Sequence, residues 1–209
     1  MQVIPGILEN NWGLVLERIE KVKSFSNTVH IDVIDGKFSP NTSFLDPQPF
    51  SVYAKELFFE VHLMTDNPIE YLEPFAKAGF KRFIGHVEKM PDISEFIARG
   101  QILGEVGLAI DGPTNIESLN IPFDDLDLIL IMGIKAGASG QVFMPQILEK
   151  IKTVRAKTNI AIEVDGGIND KNIADIKNAG ANRFVTTSFV FNSPDPISAY
   201  KTLVDLTMH

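Results

Sequence analysis

Short apolar runs rich in β-branched residues alternate along the chain with longer segments whose apolar residues recur every three or four positions. Several short runs are apolar on both faces, a pattern that is typical of parallel strands covered by helices. The runs predict eight strands, at residues 3–8, 28–34, 58–64, 82–88, 105–110, 126–132, 160–165 and 183–187.

The segments between these runs have the period of amphipathic helices, and we expect about eight helices. Candidate capping residues at the starts of two of them are Asn10 or Asn11 and Asn169 or Asp170, and Asp195-Pro196 starts the last helix. In the last helix, Ile197 and Leu203 fall on the face that we expect to point inward.

Regular alternation of strands and helices predicts a parallel sheet with right-handed crossovers. Eight such units in 209 residues fit an α/β fold that is a single (β/α)8 TIM barrel domain covering residues 1–209. A doubly wound open sheet is the main alternative. No Gly-x-Gly-x-x-Gly motif follows the first strand, which disfavours the dinucleotide-binding form of that alternative.

The composition narrows the possible partners. The chain carries 19 basic and 27 acidic residues, a net charge of −8, which argues against general nucleic-acid binding. It contains no cysteine, so disulfides, thiolate nucleophiles and cysteine metal ligands are excluded. No apolar run approaches the roughly 18 residues of a membrane-spanning helix, and no signal peptide is recognisable. We expect a cytoplasmic protein with no nucleic-acid or membrane partner.

Histidines and aspartates cluster late in the predicted strands, where the active site of a barrel lies. His30 and Asp32 are two residues apart and therefore face the same side of their strand, while His62, His86 and Asp165 lie late in three others. A divalent metal ion held by His30, Asp32, His62 and Asp165 would satisfy all four side chains. This ligand set suits zinc, iron, manganese or cobalt. The alternative is a hydrogen-bonded His–Asp network without a metal.

Glycines and small polar residues follow strands six, seven and eight, a region in which barrels commonly bind phosphate through backbone N–H groups. Lys135, just before the first of these loops, could add positive charge. The candidate phosphate-binding residues are Gly137, Gly140, Gly166, Gly167, Thr187 and Ser188.

Together these motifs resemble those of the ribulose-phosphate 3-epimerase family. The resemblance runs in order through nearly the whole chain, and the combined motifs are far more specific than any one of them. The segments that carry it are His-Ile-Asp-Val-Ile-Asp-Gly at 30–36, Val-His-Leu-Met at 61–64, His-Val-Glu at 86–88, Val-Gly-Leu-Ala at 106–109 and Glu-Val-Asp-Gly-Gly-Ile-Asn at 163–169.

The resemblance implies a (β/α)8 barrel that interconverts D-ribulose 5-phosphate and D-xylulose 5-phosphate in the pentose phosphate pathway, with one divalent metal ion and assembly as a homo-oligomer. By resemblance, the four side chains already named match the metal ligands, and Asp32 and Asp165 also match the two acid/base residues. The positions expected to line the site are Met64, His86 and Met132, and those matching phosphate contacts are Gly166, Gly167 and Ser188.

The chain departs from the family at several substrate-contacting positions. Gly6 stands where the first strand of the family carries a serine, Ile34 replaces a methionine, and Thr187 replaces a glycine. The loop at 135–141 lacks the proline and phenylalanine of the family pattern; Ala136 and Ala138 are among its residues. These changes suggest an altered substrate, affinity or loop closure, whereas the metal and proton-transfer residues are all present.

Three alternatives stay open on this evidence. The substrate could be a ketohexose 6-phosphate such as allulose 6-phosphate. A phosphosugar decarboxylase or aldolase is disfavoured, because Asp32 is followed two residues later by Ile34 and not by the lysine of the Asp-x-Lys-x-x-Asp pattern. A non-catalytic sugar-phosphate-binding relative would explain the altered loop, but it has no evident need for two carboxylates facing one carbon.

Overall fold

A computed structural model describes residues 1–208, without the side chain of Ser118. Eight parallel strands close into a barrel in chain order, with β1 paired to β8, which confirms the (β/α)8 barrel and excludes the open sheet. The strands are β1 (Gln2–Ile7), β2 (Thr28–Ile34), β3 (Phe58–Met64), β4 (Arg82–His86), β5 (Glu105–Ile110), β6 (Leu128–Met132), β7 (Ala161–Asp165) and β8 (Arg183–Thr186).

Four strands are shorter than the sequence predicts, β7 and β8 by one residue and β4 and β6 by two, and in the last two a local turn takes up the strand end. β4 ends at His86, where the chain enters a 3-10 turn at Val87–Lys89. β6 begins at Leu128, since the preceding Leu126 closes a 3-10 turn through its N–H to the carbonyl oxygen of Phe123.

Helices follow most strands, and the described residues form seven α-helices where about eight were expected. The β2–β3 and β5–β6 connections contain only 3-10 turns. Prolines in both connections lack the N–H that an α-helix interior needs. The helices are α1 (Trp12–Val22), α2 (Ile69–Lys77), α3 (Ile93–Leu103), α4 (Ile147–Arg155), α5 (Ile173–Ala179), α6 (Ser188–Phe191) and α7 (Pro196–Met208).

The helix starts confirm one predicted cap and correct another. Asn11 caps α1, its side chain accepting the N–H of Leu14 at 3.0 Å. The prediction of Asn169 or Asp170 as the cap of α5 is wrong, because that helix starts later, after Asn172. The Asn169 side chain instead forms a turn, in which it accepts the N–H of Lys171.

The last helix packs only part of its predicted apolar face. Leu203 is fully buried, whereas Ile197 is 51% exposed, so the inward orientation predicted for Ile197 is wrong. Ile197 lies in the first turn of α7, where Asp195 caps the helix by accepting the N–H of Ser198. The buried residues of α7, Leu203 and Thr207, lie in its second half.

Strand periodicity separates two apolar layers. In β2, Val29, Ile31 and Val33 point outward into the core between barrel and helices, while Ile34 belongs to a smaller cluster inside the barrel. Because side chains alternate along a strand, His30 and Asp32 share the inward face with Ile34. The barrel interior is thus apolar at some levels and strongly polar at others.

None of the described helices is both long and apolar enough to cross a lipid bilayer.

Candidate active site and metal centre

The four side chains predicted as metal ligands converge inside the barrel. Strand register places Asp32 directly beside His62, and Asp165 beside Met132. One potential ligand atom from each of His30, Asp32, His62 and Asp165 lies within 4.8 Å of every other. All four residues are buried, so the fold brings the side chains of the predicted cluster together.

Asp32 is the centre of the contacts within this cluster. Its Oδ1 lies 2.9 Å from Nδ1 of His62 and 3.4 Å from Nε2 of His30. The Oδ2 of Asp165 lies 3.7 Å from the same Nδ1 of His62. The two carboxyl groups therefore approach one imidazole from β2 and β7, strands on either side of the β1–β8 pair.

The two carboxyl groups have opposite electrostatic environments. Burial alone would raise the pKa of Asp32, but hydrogen bonds and charge from His30 and His62 outweigh it and hold that pKa far below its usual value. Burial raises the pKa of Asp165 well above its usual value, and the nearby negative charge of Asp32 raises it further. These opposite shifts favour the ionised form of Asp32 and the protonated form of Asp165, a division that is common in pairs of acid/base carboxyls.

The imidazoles also differ from each other. Burial lowers the pKa of His62 to about 4, so His62 is neutral at pH 7. Burial works in the same direction on His30, but hydrogen bonds to Asp32, Glu163 and Glu60 outweigh it and raise the pKa of His30 well above its usual value. The shift therefore favours the positively charged form of His30 among these carboxyl groups.

The site fits a divalent cation. Nε2 of His30, which faces Oδ1 of Asp32, is buried without a hydrogen-bond partner among the described residues. Buried polar atoms are rarely left in this state unless an ion or water completes them. Two imidazoles and two carboxylates form a donor set suited to zinc, iron, manganese or cobalt. The donor set and the unpartnered Nε2 of His30 both indicate a cation at this position.

A second buried polar layer, which the sequence analysis did not assign, supports the first. Glu60 and Glu163 lie two residues before His62 and Asp165 on the same inward faces. Nδ1 of His30 lies 2.8 Å from Oε1 of Glu60 and 3.4 Å from Oε1 of Glu163. The signal that could have found this layer is the repeated i, i+2 spacing of polar residues on three strands.

Arg82 neutralises part of this layer. Its guanidinium contacts the carboxylate of Glu60, and its Nε donates to Oε2 of Glu105 at 2.7 Å. Burial would raise the pKa of Glu60, but His30 and Arg82 outweigh it and lower that pKa. Burial and the charge of Glu60 raise the pKa of Glu163. Glu60 therefore holds Nδ1 of His30 and leaves Nε2 facing the metal cluster, as carboxylates behind metal-binding histidines commonly do.

A cavity opens above the cluster. Asp32 and Asp165 line it together with Met64 and Met132. The two methionines are almost fully buried and belong to the apolar cluster inside the barrel. The cavity thus combines two carboxyl groups with apolar walls that offer no competing proton donor.

The far side of the cavity consists of glycine-rich backbone and small hydroxyl residues. Gly166 and Gly167 have φ values of +105° and +71°, which other residues rarely adopt. A Cβ at Gly166 would lie 2.3 Å from Ile134, so this turn also needs glycine for space. All six predicted phosphate-binding positions line the cavity: Gly137, Gly140, Gly166, Gly167, Thr187 and Ser188.

Two loops meet across the mouth of the barrel. The side-chain amide of Asn41, in the loop after β2, donates to the carbonyl oxygen of Gly137, in the loop after β6, at 2.8 Å. Gln141 stabilises the second loop by donating to the carbonyl oxygens of Lys135 and Ala138. Lys135 itself is exposed and is not among the residues that line the cavity.

His86 does not line the cavity, contrary to the sequence prediction. Its ring packs against His62, with ring centroids 4.8 Å apart, and against Phe38, with centroids 4.7 Å apart. Its Nδ1 lies 2.9 Å from Oε2 of Glu88. Because these neighbours enclose the ring, His86 stacks on the ring of His62 outside the cavity.

Comparison with known proteins agrees with this architecture. The Salmonella typhimurium 3-hexulose-6-phosphate synthase structure has a TM-score of 0.74 at 13% identity, covering 100% of this chain and 99% of that one, which shows the barrel fold alone. A Chlamydia pneumoniae protein named ribulose-phosphate 3-epimerase is 35% identical over 191 residues, covering 87% of this chain and 82% of that protein.

A Bacillus subtilis protein of the same name is 34% identical over 207 residues, covering 93% of this chain and 94% of that protein. Residues 2–191 match the Ribulose-phosphate 3 epimerase family. These likenesses span the strands that carry the buried His–Asp cluster as well as those that carry the glycine-rich turns. The chain therefore belongs to the ribulose-phosphate 3-epimerase family of carbohydrate isomerases.

Proposed function

We propose that the protein is a metal-dependent epimerase that inverts C3 of D-ribulose 5-phosphate to give D-xylulose 5-phosphate. The observation that carries the proposal is the placement of Asp32 and Asp165 in one cavity with glycine-rich turns at its other side. A short sugar phosphate needs both features, since its phosphate must be held away from the carbon that reacts.

Inverting a carbon beside a carbonyl requires removal of a proton from one face and return of a proton to the other. One carboxylate takes the C3 proton, and the other carboxyl, initially protonated, delivers its proton to the opposite face. The sugar keeps its composition, and the two carboxyls exchange protonation states. Asp32 and Asp165 are the pair we assign to these roles, and either can act first depending on the direction of the reaction.

His30, Asp32, His62 and Asp165 would hold the cation, which when bound would act as a Lewis acid towards the negative charge that develops on the substrate oxygen atoms. The side chains of Met64 and Met132 exclude water from the reacting carbon. The glycine turns present backbone N–H groups to the phosphate, together with the hydroxyl of Ser188.

Exchange of the C3 proton with heavy water tests this proposal. We expect the metal-loaded protein to introduce deuterium at C3 of ribulose 5-phosphate and to produce xylulose 5-phosphate. Proton NMR measures the exchange. Asp165→Asn should lower the epimerisation rate by a factor of about 10² to 10⁴, the usual contribution of a positioned acid or base. Asp66→Asn, at an exposed position, is the matched control.

Allulose 6-phosphate belongs in the same assay, because Gly140 has open space where a Cβ would stand and a longer substrate could extend there. Faster exchange with the ketohexose phosphate would reassign the substrate. Exchange with neither compound, while both bind, would identify a sugar-phosphate-binding relative and overturn the enzyme proposal. Assembly as a homo-oligomer, expected from the family, is checked by light scattering on the same preparation.

A further inference from the structure

Gly6 and Thr187 occupy one space between neighbouring strands. β1 and β8 pair through Pro5 and Thr186, so the next residue on each strand is also adjacent. A Cβ on Gly6 would lie 2.5 Å from Oγ1 of Thr187 and 2.9 Å from Cγ1 of Val185. Non-bonded atoms do not approach this closely, so the Thr187 side chain occupies the place that a side chain at position 6 would need.

The glycine at position 6 is required for space and not for backbone conformation. Gly6 is absent from the glycines with positive φ, in contrast to Gly166 and Gly167. Any L-residue could adopt its extended strand conformation. The structure thus links two positions that depart from the family pattern, 181 residues apart in sequence, through a single contact.

The hydroxyl of Thr187 is available to a ligand. Thr187 precedes α6, but its side chain makes no capping hydrogen bond. Within residues 1–208 its hydroxyl has no hydrogen-bond partner. The residue is half-buried and lines the same cavity as Asp32 and Asp165. A polar group in a partly enclosed cavity gains most from a partner supplied by the ligand.

We propose that Thr187 is a substrate-binding residue whose hydroxyl hydrogen-bonds to an oxygen atom of the bound sugar phosphate, and that Gly6 is the position that makes room for it. This inference rests on the proposed function for the identity of the ligand. It assigns to this chain a hydroxyl contact from Thr187, the residue directly after β8, because Gly6 on β1 has no side chain to make one.

The first test separates the hydroxyl from the shape of the side chain. Thr187→Val keeps the shape and removes the hydroxyl, whereas Thr187→Ser keeps the hydroxyl. We expect Thr187→Val to raise KM for ribulose 5-phosphate about tenfold, with kcat changed less than threefold, as loss of one hydrogen bond to a ligand predicts. Thr187→Ser should stay within about threefold of the parent KM. A Thr187→Val KM equal to that of the parent would overturn the proposal.

The second test uses the contact itself. Gly6→Ala should lower kcat/KM, because its Cβ displaces the Thr187 side chain. Gly6→Ser combined with Thr187→Gly moves the hydroxyl to the other strand and should recover at least part of the loss seen in Thr187→Gly. Effects that simply add in this double-mutant cycle would contradict a shared space, since contacting residues are coupled. Thr202→Val, at an exposed position on α7, is the matched surface control.

Binding measurements distinguish failure of this inference from failure of the proposed function. The melting temperatures of the parent, Thr187→Val and Thr187→Ser proteins are recorded with and without ribulose 5-phosphate. A ligand-induced shift that falls in Thr187→Val but persists in Thr187→Ser supports the inference even if no turnover occurs. Absence of turnover in the parent refutes the epimerase, whereas equal shifts in all three proteins refute the role of Thr187. Equal melting temperatures without ligand exclude a folding defect.

Discussion

The side-chain amide of Asn41 donates a hydrogen bond to the carbonyl oxygen of Gly137, 96 positions further along the chain, at 2.8 Å. This bond joins the loop after β2 to the loop after β6 above the cavity. Gly137 can approach closely because it has no Cβ, which would otherwise lie 2.5 Å from Oγ of Ser39. The two loops therefore hold one another over the cavity.

Removing this bond should loosen the cover of the cavity. We expect Asn41→Ala and Asn41→Asp, neither of which can donate the bond, to raise KM for the sugar phosphate by roughly three- to tenfold, the value of one hydrogen bond. Steady-state kinetics checks this, with the surface variant Ser51→Ala as the control. Unchanged KM in both variants would show that the loops stay closed without the bond.

Metal removal should destabilise the protein as well as inactivate it. A cation that binds only the folded state at about 100 times its dissociation constant adds about 2.7 kcal/mol, or roughly 5 to 11 °C in melting temperature for a chain of this size. Chelation followed by calorimetry measures the loss, and re-addition of zinc, iron, manganese or cobalt identifies the metal that restores it.

Variants of the ligand set separate this metal effect from general destabilisation. His62→Gln should abolish the difference between chelated and metal-loaded protein, because it removes one of the four donors. His86→Asn should retain that difference, since His86 lies outside the ligand cluster. A metal-dependent shift of full size in His62→Gln would contradict the proposed ligand set.

The two carboxylates that pair with Arg82 should differ in their effect on stability. Glu60 is fully buried, whereas the side chain of Glu105 is 41% exposed. Glu60→Ala leaves the buried guanidinium without its main partner and should cost about 3 to 5 kcal/mol of unfolding free energy. Glu105→Ala should cost less than about 1 kcal/mol, because water can replace its carboxylate. Urea denaturation measures both, and equal losses would contradict this account.

Glu88 should make the fold sensitive to acid. Burial alone would raise the pKa of Glu88, but hydrogen bonding and charge from His86 outweigh it and lower that pKa from 4.5 to about 2. Because the folded-state pKa is the lower one, this contribution is present above pH 4.5 and is lost as the pH falls towards 2.

We expect Glu88→Gln to flatten this part of the stability curve by about 1 to 2 kcal/mol relative to the parent, a value reduced for solvent screening. Urea denaturation between pH 5 and pH 2 compares the two proteins, with the exposed-site variant Glu95→Gln as the control. Parallel curves for the parent and Glu88→Gln would show that the His86–Glu88 contact does not depend on ionisation.

Much of the metal cluster could be predicted because strand alternation is local. The spacing of His30 and Asp32 places both on one face of β2, and the parallel register of β2 and β3 brings His62 to the level of Asp32. The helix predictions failed where proline-containing connections formed 3-10 turns instead. Turn geometry depends on the packing of whole loops, which apolar periodicity does not describe.

The sequence by itself determined the barrel, the inward face of each strand and the convergence of the four ligands, since residues two apart on a strand share a face whatever surrounds them. Only the tertiary structure decided that Phe38 and His62 enclose His86, and that Thr187 occupies the space left by Gly6. These contacts join residues distant along the chain. They depend on which side chain reaches a shared volume, and only the closed barrel with its loops in place defines that volume.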